Sequence, residues 1–212
     1  MFFFVNEVTE MPFFLRFLIN LLTFSNLSFA FSDNVLFEGL TFQIRRGEKV
    51  FIQGPNGCGK STFLKIITGY LKATKGEYKI GGNTSFSYYA QDLSTLNEEK
   101  TVFDEIYDHA NFGRLAVNLI APVKIRKALA AFGFKGDDVF KPISKLSGGE
   151  KSRVALLKIV YERSSLLILD EPTNHLDIKT REVLEKALTD FEGTLICVSH
   201  DRYFKQKLAT RE

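Results

Sequence analysis

Residues 54–62 read Gly54-Pro55-Asn56-Gly57-Cys58-Gly59-Lys60-Ser61-Thr62, and this stretch decides the fold of the 212-residue chain. It matches the pattern G-x-x-x-x-G-K-[ST] at every fixed position. A short apolar run at 49–53 precedes it, and a segment with helical spacing at 59–68 follows it. The motif requires a strand before the glycine-rich turn and a helix after it, so the flanking sequence agrees with the motif.

The motif predicts a binding site for a triphosphate and its metal ion. Its glycines let successive backbone N–H groups converge on one point, and the helix amino terminus behind them adds a positive field. The ammonium group of Lys60 can neutralise the β- and γ-phosphates, and the Ser61 hydroxyl can ligate Mg²⁺. We therefore predict that 54–62 binds MgATP. The alternative, a glycine-rich turn that binds nothing, fits the full motif match poorly.

Two carboxylates, Asp170 and Glu171, follow a second apolar run at 166–169. Ligands of open α/β sheets gather at the carboxyl ends of the strands. Asp170 is therefore predicted to face the metal ion, and Glu171 to orient or deprotonate an attacking water. An Asp-Glu pair after a strand is by itself more often a solvated surface pair. In a chain that also contains a phosphate-binding loop, the functional interpretation is favoured.

Apolar strands that alternate with helices predict the fold class. Predicted strands are 27–31, 40–44, 49–53, 77–80, 85–90, 166–169 and 194–198, and predicted helices are 59–68, 149–161 and 178–191. Continuous apolar strands of this kind indicate a parallel sheet that is covered on both faces. Residues of about 101–146 have helical spacing instead and predict an inserted helical subdomain. The apolar residues that carry this helical spacing are Val102, Ile106, Leu119, Ile125, Leu129 and Phe132.

Composition places the chain among ordinary globular proteins, with 45% hydrophobic and 25% charged residues. The net charge of +3 neither indicates nor excludes an RNA partner. The two cysteines, Cys58 and Cys197, lack metal-ligand spacing and favour a reduced, cytoplasmic protein.

The amino terminus is rich in phenylalanine and is predicted to lie outside the domain. The apolar run at 12–24 is interrupted by Arg16 and Asn20, and a membrane-spanning helix needs about 20 apolar residues. Glu7 and Glu10 stand where a signal peptide would carry basic residues. We predict an extension at 1–21, which is poorly ordered, covered by a partner or translated from upstream sequence, and a domain at 22–212.

A second helix start rich in glycine occurs at Leu146-Ser147-Gly148-Gly149-Glu150. Two glycines at the beginning of a helix leave another bare amino terminus that can bind phosphate. One ATP does not need two such ends from one chain, but another copy of the chain could supply the second. A lone Ser-Gly-Gly is more often simply a loop and a helix start.

The order of these motifs resembles the ATP-binding cassette family from about residue 22 to residue 204. The resemblance implies MgATP hydrolysis in a head-to-tail sandwich with a second cassette, either an identical chain or a relative. It implies that Ser147 and Gly149 contact a γ-phosphate in trans, and that His200 holds the γ-phosphate. It further assigns Gln91 to sensing metal and water, and Phe31, where the family commonly has tyrosine, to stacking on adenine. The remaining residues that it assigns to the nucleotide site are Gly148, Glu150 and Asp177.

Each of these last residues also has a plainer interpretation. A lone Gln91 after a strand is ordinarily a surface amide, and His200 beside Asp201 is ordinarily a satisfied or capping histidine. Phe31 in a phenylalanine-rich region is more often a core residue.

Within the family, the stretches 171–177 and 198–204 are similar to subfamily F, which has no membrane-spanning partner and acts on ribosomes. The stretches 136–141 and 149–153 are most similar to the second of the two cassettes that such proteins carry. The resemblance thus implies a cytoplasmic ATPase with no transmembrane segment and with the ribosome or rRNA as partner. The chain has one cassette and no long charged linker, and we expect the closing strand and helices after residue 212 to be missing.

Two other functions stay open. The chain could be the ATP-binding subunit of a membrane transporter, since the same core motifs serve there. It could also be a truncated cassette that binds nucleotide without turnover.

Overall fold

The computed structural model describes residues 20–32, 34–89, 96–115, 118–174 and 176–211. The strands are β1 (Asn20–Phe31), β2 (Asn34–Arg45), β3 (Lys49–Ile52), β4 (Lys75–Ile80), β5 (Phe86–Tyr89), β6 (Leu166–Asp170) and β7 (Thr194–Val198). The helices are α1 (Lys60–Ile67), α2 (Val102–Asn111), α3 (Pro122–Ala131), α4 (Gly148–Val160), α5 (Ile178–Thr189) and α6 (Arg202–Leu208). Short 3₁₀ helices at Gly136–Phe140 and Ile143–Lys145 precede α4.

The strands form two sheets. One is antiparallel in the order β2-β1-β4, and the other is parallel in the order β3-β7-β6-β5. Every residue of β6 and β7 is buried, as expected for parallel strands covered on both faces. The predicted α/β class, with its parallel sheet, antiparallel part and flanking helices, is confirmed.

The hydrophobic core is divided by the parallel sheet, because neighbouring side chains of a strand point to opposite faces. Leu166 and Ile168 of β6 pack with α1 and the antiparallel sheet, and their neighbours Leu167 and Leu169 pack with α4, α5 and the helical segment. The sheet is thus held from both sides, which fixes the position of the residues at its ends.

The largest differences from the sequence prediction are at the amino-terminal strands and at Leu119. β1 and β2 are much longer than the predicted 27–31 and 40–44, and Asn20 and Leu21, which the pattern places in the extension, belong to β1. Shifts of register between β1 and β2 break the alternation that would have revealed the full strands. In the helical segment five of the six residues with helical spacing are buried, whereas Leu119 is 44% exposed and the helical prediction at this position is wrong. Leu119 lies in the loop between α2 and α3, not on a helix.

Among the residues that the structure describes, no helix combines the length and the apolar character needed to cross a bilayer.

Candidate functional site

The parallel sheet brings the predicted site residues to one edge. The carboxyl ends of β3, β7 and β6, which are neighbours in that order, lead into the loop 54–62, His200 and Glu171 respectively. Parallel strands end at the same edge, so three segments far apart in sequence converge there. Gln91, which follows β5, lies outside the described residues, and its role stays a prediction.

The loop 54–62 needs its glycines for conformation and for space. Gly57 and Gly59 have φ angles of 79° and 96°, in the left-handed region that other residues avoid. A Cβ atom at Gly54 would lie 2.6 Å from the Cys58 sulfur. Gly59 is the amino-terminal cap of α1 and provides no side-chain hydrogen bond. The helix start, which carries Lys60, Ser61 and Thr62, therefore presents bare N–H groups to the edge of the sheet.

The Lys60 ammonium group lies across this loop. Its Nζ donates to the Gly54 carbonyl at 2.8 Å and to the Pro55 carbonyl at 3.0 Å. These two bonds hold the positive charge of Lys60 against the loop 54–62, and both acceptors are neutral carbonyl groups. An anion that enters the loop would offer stronger, charge-assisted hydrogen bonds.

Asp170, the last residue of β6, is a buried carboxylate with a free oxygen. It is 7% exposed, and its Oδ1 receives no hydrogen bond within the described part of the chain. A buried carboxylate oxygen without a donor is costly, and a cation would satisfy it. Burial chiefly, with the charges of Asp170 and Tyr70 adding to it, raises the pKa of Tyr88 to about 12. Mg²⁺ prefers oxygen ligands, and the Asp170 carboxylate and the Ser61 hydroxyl are the candidate ligands among the described residues.

Glu171 and His200 face each other at the ends of β6 and β7. The His200 backbone N–H donates to Glu171 Oε2 at 3.3 Å, and His200 Nε2 lies 3.3 Å from Glu171 Oε1. This second contact lacks hydrogen-bond geometry, so Oε1 is buried without a donor among the described residues. Glu171 also has a φ angle of 50°, and its N–H donates to the Val198 carbonyl. A strained, fixed carboxylate with one unused oxygen is well placed to bind a water molecule.

The second helix start that was predicted to bind phosphate, at 146–150, forms a complete capping box at the beginning of α4. Ser147 Oγ accepts from the Glu150 N–H, and Glu150 Oε2 accepts from the Ser147 N–H at 2.9 Å and from its hydroxyl at 2.7 Å. These bonds, the hydroxyl bond above all, lower the pKa of Glu150. Cβ atoms at Gly148 and Gly149 would meet nothing within 4 Å, so this helix start has an open face. Its bonds are internal, and the contact with a nucleotide in trans stays a prediction.

Asp177 and Phe31 occupy positions that leave their predicted roles untested. Asp177 caps α5 and accepts from the Thr180 N–H at 2.8 Å, and this bond lowers its pKa. Phe31 ends β1, is 54% exposed and meets Phe29 edge-on, with ring centroids 4.8 Å apart. Phe31 is thus an exposed ring rather than a core residue.

The residues that hold the His200 loop were not predicted from the sequence. Ser199 Oγ accepts from the Asp201 N–H and lies 3.4 Å from Thr173 Oγ1. Arg181 of α5 forms an ion pair with Asp201. Asp201 directly before a helix is a recognisable cap signal, but nothing local to Arg181 indicates a partner so distant in sequence.

Comparison with known proteins agrees with this geometry. The family described as "ABC transporter" matches residues 37–174, which include the phosphate loop, the capping box and both carboxylates. The chain belongs to this family of ATP-binding cassettes. The cassette is 47% identical over 172 residues to the "Putative ATP-binding protein YdiF" of Bacillus subtilis (strain 168), an alignment that covers 81% of this chain and 26% of the relative. It is 44% identical over 188 residues to "ABC transporter F family member 5" of Arabidopsis thaliana, covering 88% of this chain and 26% of the relative.

The cassette spans about a quarter of the length of these relatives and is a single cassette of ABC-F type. Among solved structures it is similar to the dimeric post-hydrolysis state of an ATP-binding cassette with ADP and Pi, with a TM-score of 0.68. That similarity covers 88% of this chain and 90% of the other at 21% identity, and it supports the fold.

Proposed function

We propose that this cassette binds MgATP and hydrolyses it to ADP and phosphate. The observation that carries the proposal is the buried Asp170 oxygen without a donor, at the sheet edge where the loop 54–62 also begins. Asp170, Ser61 and Gln91 would hold Mg²⁺, which would neutralise charge on the phosphates. The bare N–H groups of the loop and Lys60 would bind the phosphate oxygens, and Phe31 would stack on adenine.

Glu171 and His200 would act on the attacking water and on the γ-phosphate. The unused Glu171 Oε1 can accept a hydrogen bond from the water and then its proton. His200, whose side chain is 59% exposed, can donate a hydrogen bond to a γ-phosphate oxygen from its place beside Glu171. The Glu171 carboxylate accepts from the His200 backbone N–H, and the Glu171 N–H donates to the Val198 carbonyl, so little reorganisation of Glu171 would be needed during the reaction.

The working unit that we propose is a head-to-tail pair with a second cassette, either another copy or a relative. The open face at Gly148 and Gly149 supports it, because a helix start without neighbouring atoms has room for phosphate oxygens. The similar solved cassette, which is dimeric, also supports it.

Titration calorimetry with MgATP tests the binding step. We expect the parent to bind and Lys60→Met to lose at least about tenfold in affinity, since a charge-assisted contact is removed. The matched control is Lys65→Met, which removes an exposed lysine from the last turn of the same helix and should bind as the parent does. If the parent binds no nucleotide, or if both variants bind equally well, the proposed site is wrong.

The cellular setting that we propose is the cytoplasm, with the ribosome as partner. The similarity of 171–177 and 198–204 to subfamily F supports this setting, as does the relative named as an F family member. Sedimentation of the tagged chain with ribosomes in cell extracts, released by high salt, is the expected result. Recovery with membrane proteins would instead favour a transporter subunit, and nucleotide binding without phosphate release would favour a cassette without turnover.

A further inference from the structure

An ion pair behind the candidate site joins α5 to the loop that carries His200. Arg181, in the first turn of α5, has its Nη1 2.8 Å from Asp201 Oδ2. The Asp201 side chain is only 14% exposed, so solvent screens this pair incompletely. The Arg181 Nε is buried and finds no acceptor among the described residues, so this nitrogen does not add to the contact that Nη1 makes with Asp201.

Asp201 is fixed from several directions at once. Its Oδ1 accepts from the N–H groups of Tyr203 and Phe204 at 3.0 and 3.1 Å, which caps α6. Its own N–H donates to Ser199 Oγ at 3.1 Å, and its Oδ2 faces Arg181. His200 precedes Asp201 in the chain, so whatever fixes Asp201 also restricts the backbone of His200.

These contacts close a ring around the site. Glu171 leads through 172–177 into α5, and Arg181 crosses from α5 to Asp201. The neighbouring His200 N–H then returns to Glu171 Oε2 at 3.3 Å. The segments that follow β6 and β7 are thus joined twice. One connection is the Glu171–His200 contact, and the other is the ion pair of Arg181 with Asp201.

We propose that Arg181 is a positioning residue for the proposed reaction. Through Asp201 it holds His200 against Glu171, and it transmits any displacement of 172–177 to His200. Its kinetic consequence rests on the proposed ATP hydrolysis, and its structural consequence does not.

The chain offers a matched control for this pair. Lys207 of α6 lies with its Nζ 2.8 Å from Glu185 Oε2 of α5, one helical turn beyond Arg181. This pair joins α5 to α6, its acidic member is also buried, and its ion pair does not involve the residues of the His200 loop. If the loss of an ion pair between α5 and α6 acted only by weakening the packing of these helices, Lys207→Met should have the same effect as Arg181→Met.

The first experiment measures hydrogen exchange of the His200 amide by NMR in the full chain without nucleotide. We expect at least about tenfold faster exchange in Arg181→Met and less than about twofold in Lys207→Met. Asp201→Asn should also exchange faster, because it keeps an oxygen to cap α6 and loses the charge that Arg181 needs. Asp201→Asn decides the matter if Arg181→Met does not fold. The proposal would be overturned if the His200 amide exchanged as fast in Lys207→Met as in Arg181→Met and Asp201→Asn.

The second experiment measures ATP turnover of the same variants. In Arg181→Met we expect kcat to fall at least about tenfold with KM unchanged, because the nucleotide contacts remain and only the reacting geometry is loosened. Arg181→Lys should recover part of the loss, since an ammonium group keeps the positive charge that pairs with the Asp201 carboxylate. Loss of kcat of the same size in Lys207→Met would contradict the proposal. A parent chain that does not turn over ATP would count against the proposed function, and the exchange experiment would still decide the role of Arg181.

Discussion

At the scale of single residues, the site is defined by two adjacent carboxylates, each with a buried oxygen that receives no hydrogen bond among the described residues. Asp170 is buried at the end of β6 with an oxygen that lacks a donor, and Glu171 is held in a strained conformation toward His200. In the proposed reaction these adjacent residues would provide a metal ligand and a water-binding oxygen at one strand end. This division of roles predicts that the two residues fail differently when they are replaced.

Glu171→Gln should abolish hydrolysis and leave nucleotide binding intact. The amide can still accept the His200 N–H bond, so the loop should keep its shape, but it cannot take a proton from water. We expect turnover to fall at least about a hundredfold, with the ATP affinity within about twofold of the parent. Phosphate release and calorimetry measure the two quantities. Hydrolysis at the parental rate would show that Glu171 does not have the assigned role.

At the scale of elements, α4 depends on its capping box, and the same residues are those predicted to meet a nucleotide in trans. The Ser147 hydroxyl is already bonded to Glu150, so a phosphate contact would require the hydroxyl to turn from Glu150. Ser147→Ala should lower the free energy of unfolding by about 1 kcal/mol, measured in urea. The control Ser144→Ala, at an exposed serine three residues earlier, should change it by less than about 0.5 kcal/mol. Equal stability of the parent and Ser147→Ala would show that the box does not stabilise α4.

The contact between α2 and α4 should make stability depend on pH. His109 Nε2 lies 3.1 Å from the Lys158 carbonyl and 3.7 Å from Glu162, and burial, with the Lys158 charge, lowers the His109 pKa. A histidine whose folded pKa is lowered stabilises the fold above its unfolded pKa of about 6.5, and this contribution is lost as the pH falls below that value. Urea midpoints should therefore fall less in His109→Gln than in the parent between about pH 7.5 and about pH 5.5. Equal falls in the two proteins would contradict this sign.

The sequence predicted the elements that repeat a simple pattern and missed those that depend on distant contacts. β6 and β7 are continuous apolar runs between helices, and their predicted positions are within one residue of the structure. The long β1–β2 hairpin was underestimated because its bulges interrupt the alternation of side chains. Leu119 was misplaced because the Asn111 side chain bonds the Ile120 backbone and holds the connection between α2 and α3 as a loop. In the site, motif residues were found by spacing, whereas the Arg181–Asp201 pair has no signal within either segment.

At the scale of the whole molecule, the proposed reaction needs two cassettes, and the predictions that follow take the second one to be another copy of this chain. One copy would supply the loop 54–62 and the carboxylates, and the other would supply the helix start at Ser147. Turnover per chain should therefore rise with protein concentration until the dimer is saturated. Phosphate release measured over about two decades of concentration would show this rise, and constant turnover per chain throughout would contradict the need for a second copy.

Mixing two inactive variants tests the same arrangement more directly. Lys60→Met removes the phosphate lysine, and Gly149→Asp places a negative charge on the open helix start, where a side chain meets no neighbouring atom. In a head-to-tail pair of the two variants, one site combines the intact loop of one chain with the intact helix start of the other. Random pairing gives about one quarter of the parental number of intact sites, so an equal mixture should recover about one quarter of parental turnover. Mixing Lys60→Met with the double variant leaves no intact site and serves as the control. If both single variants are folded and inactive, and their mixture stays inactive while the parent hydrolyses ATP, the two chains do not share their sites in this way.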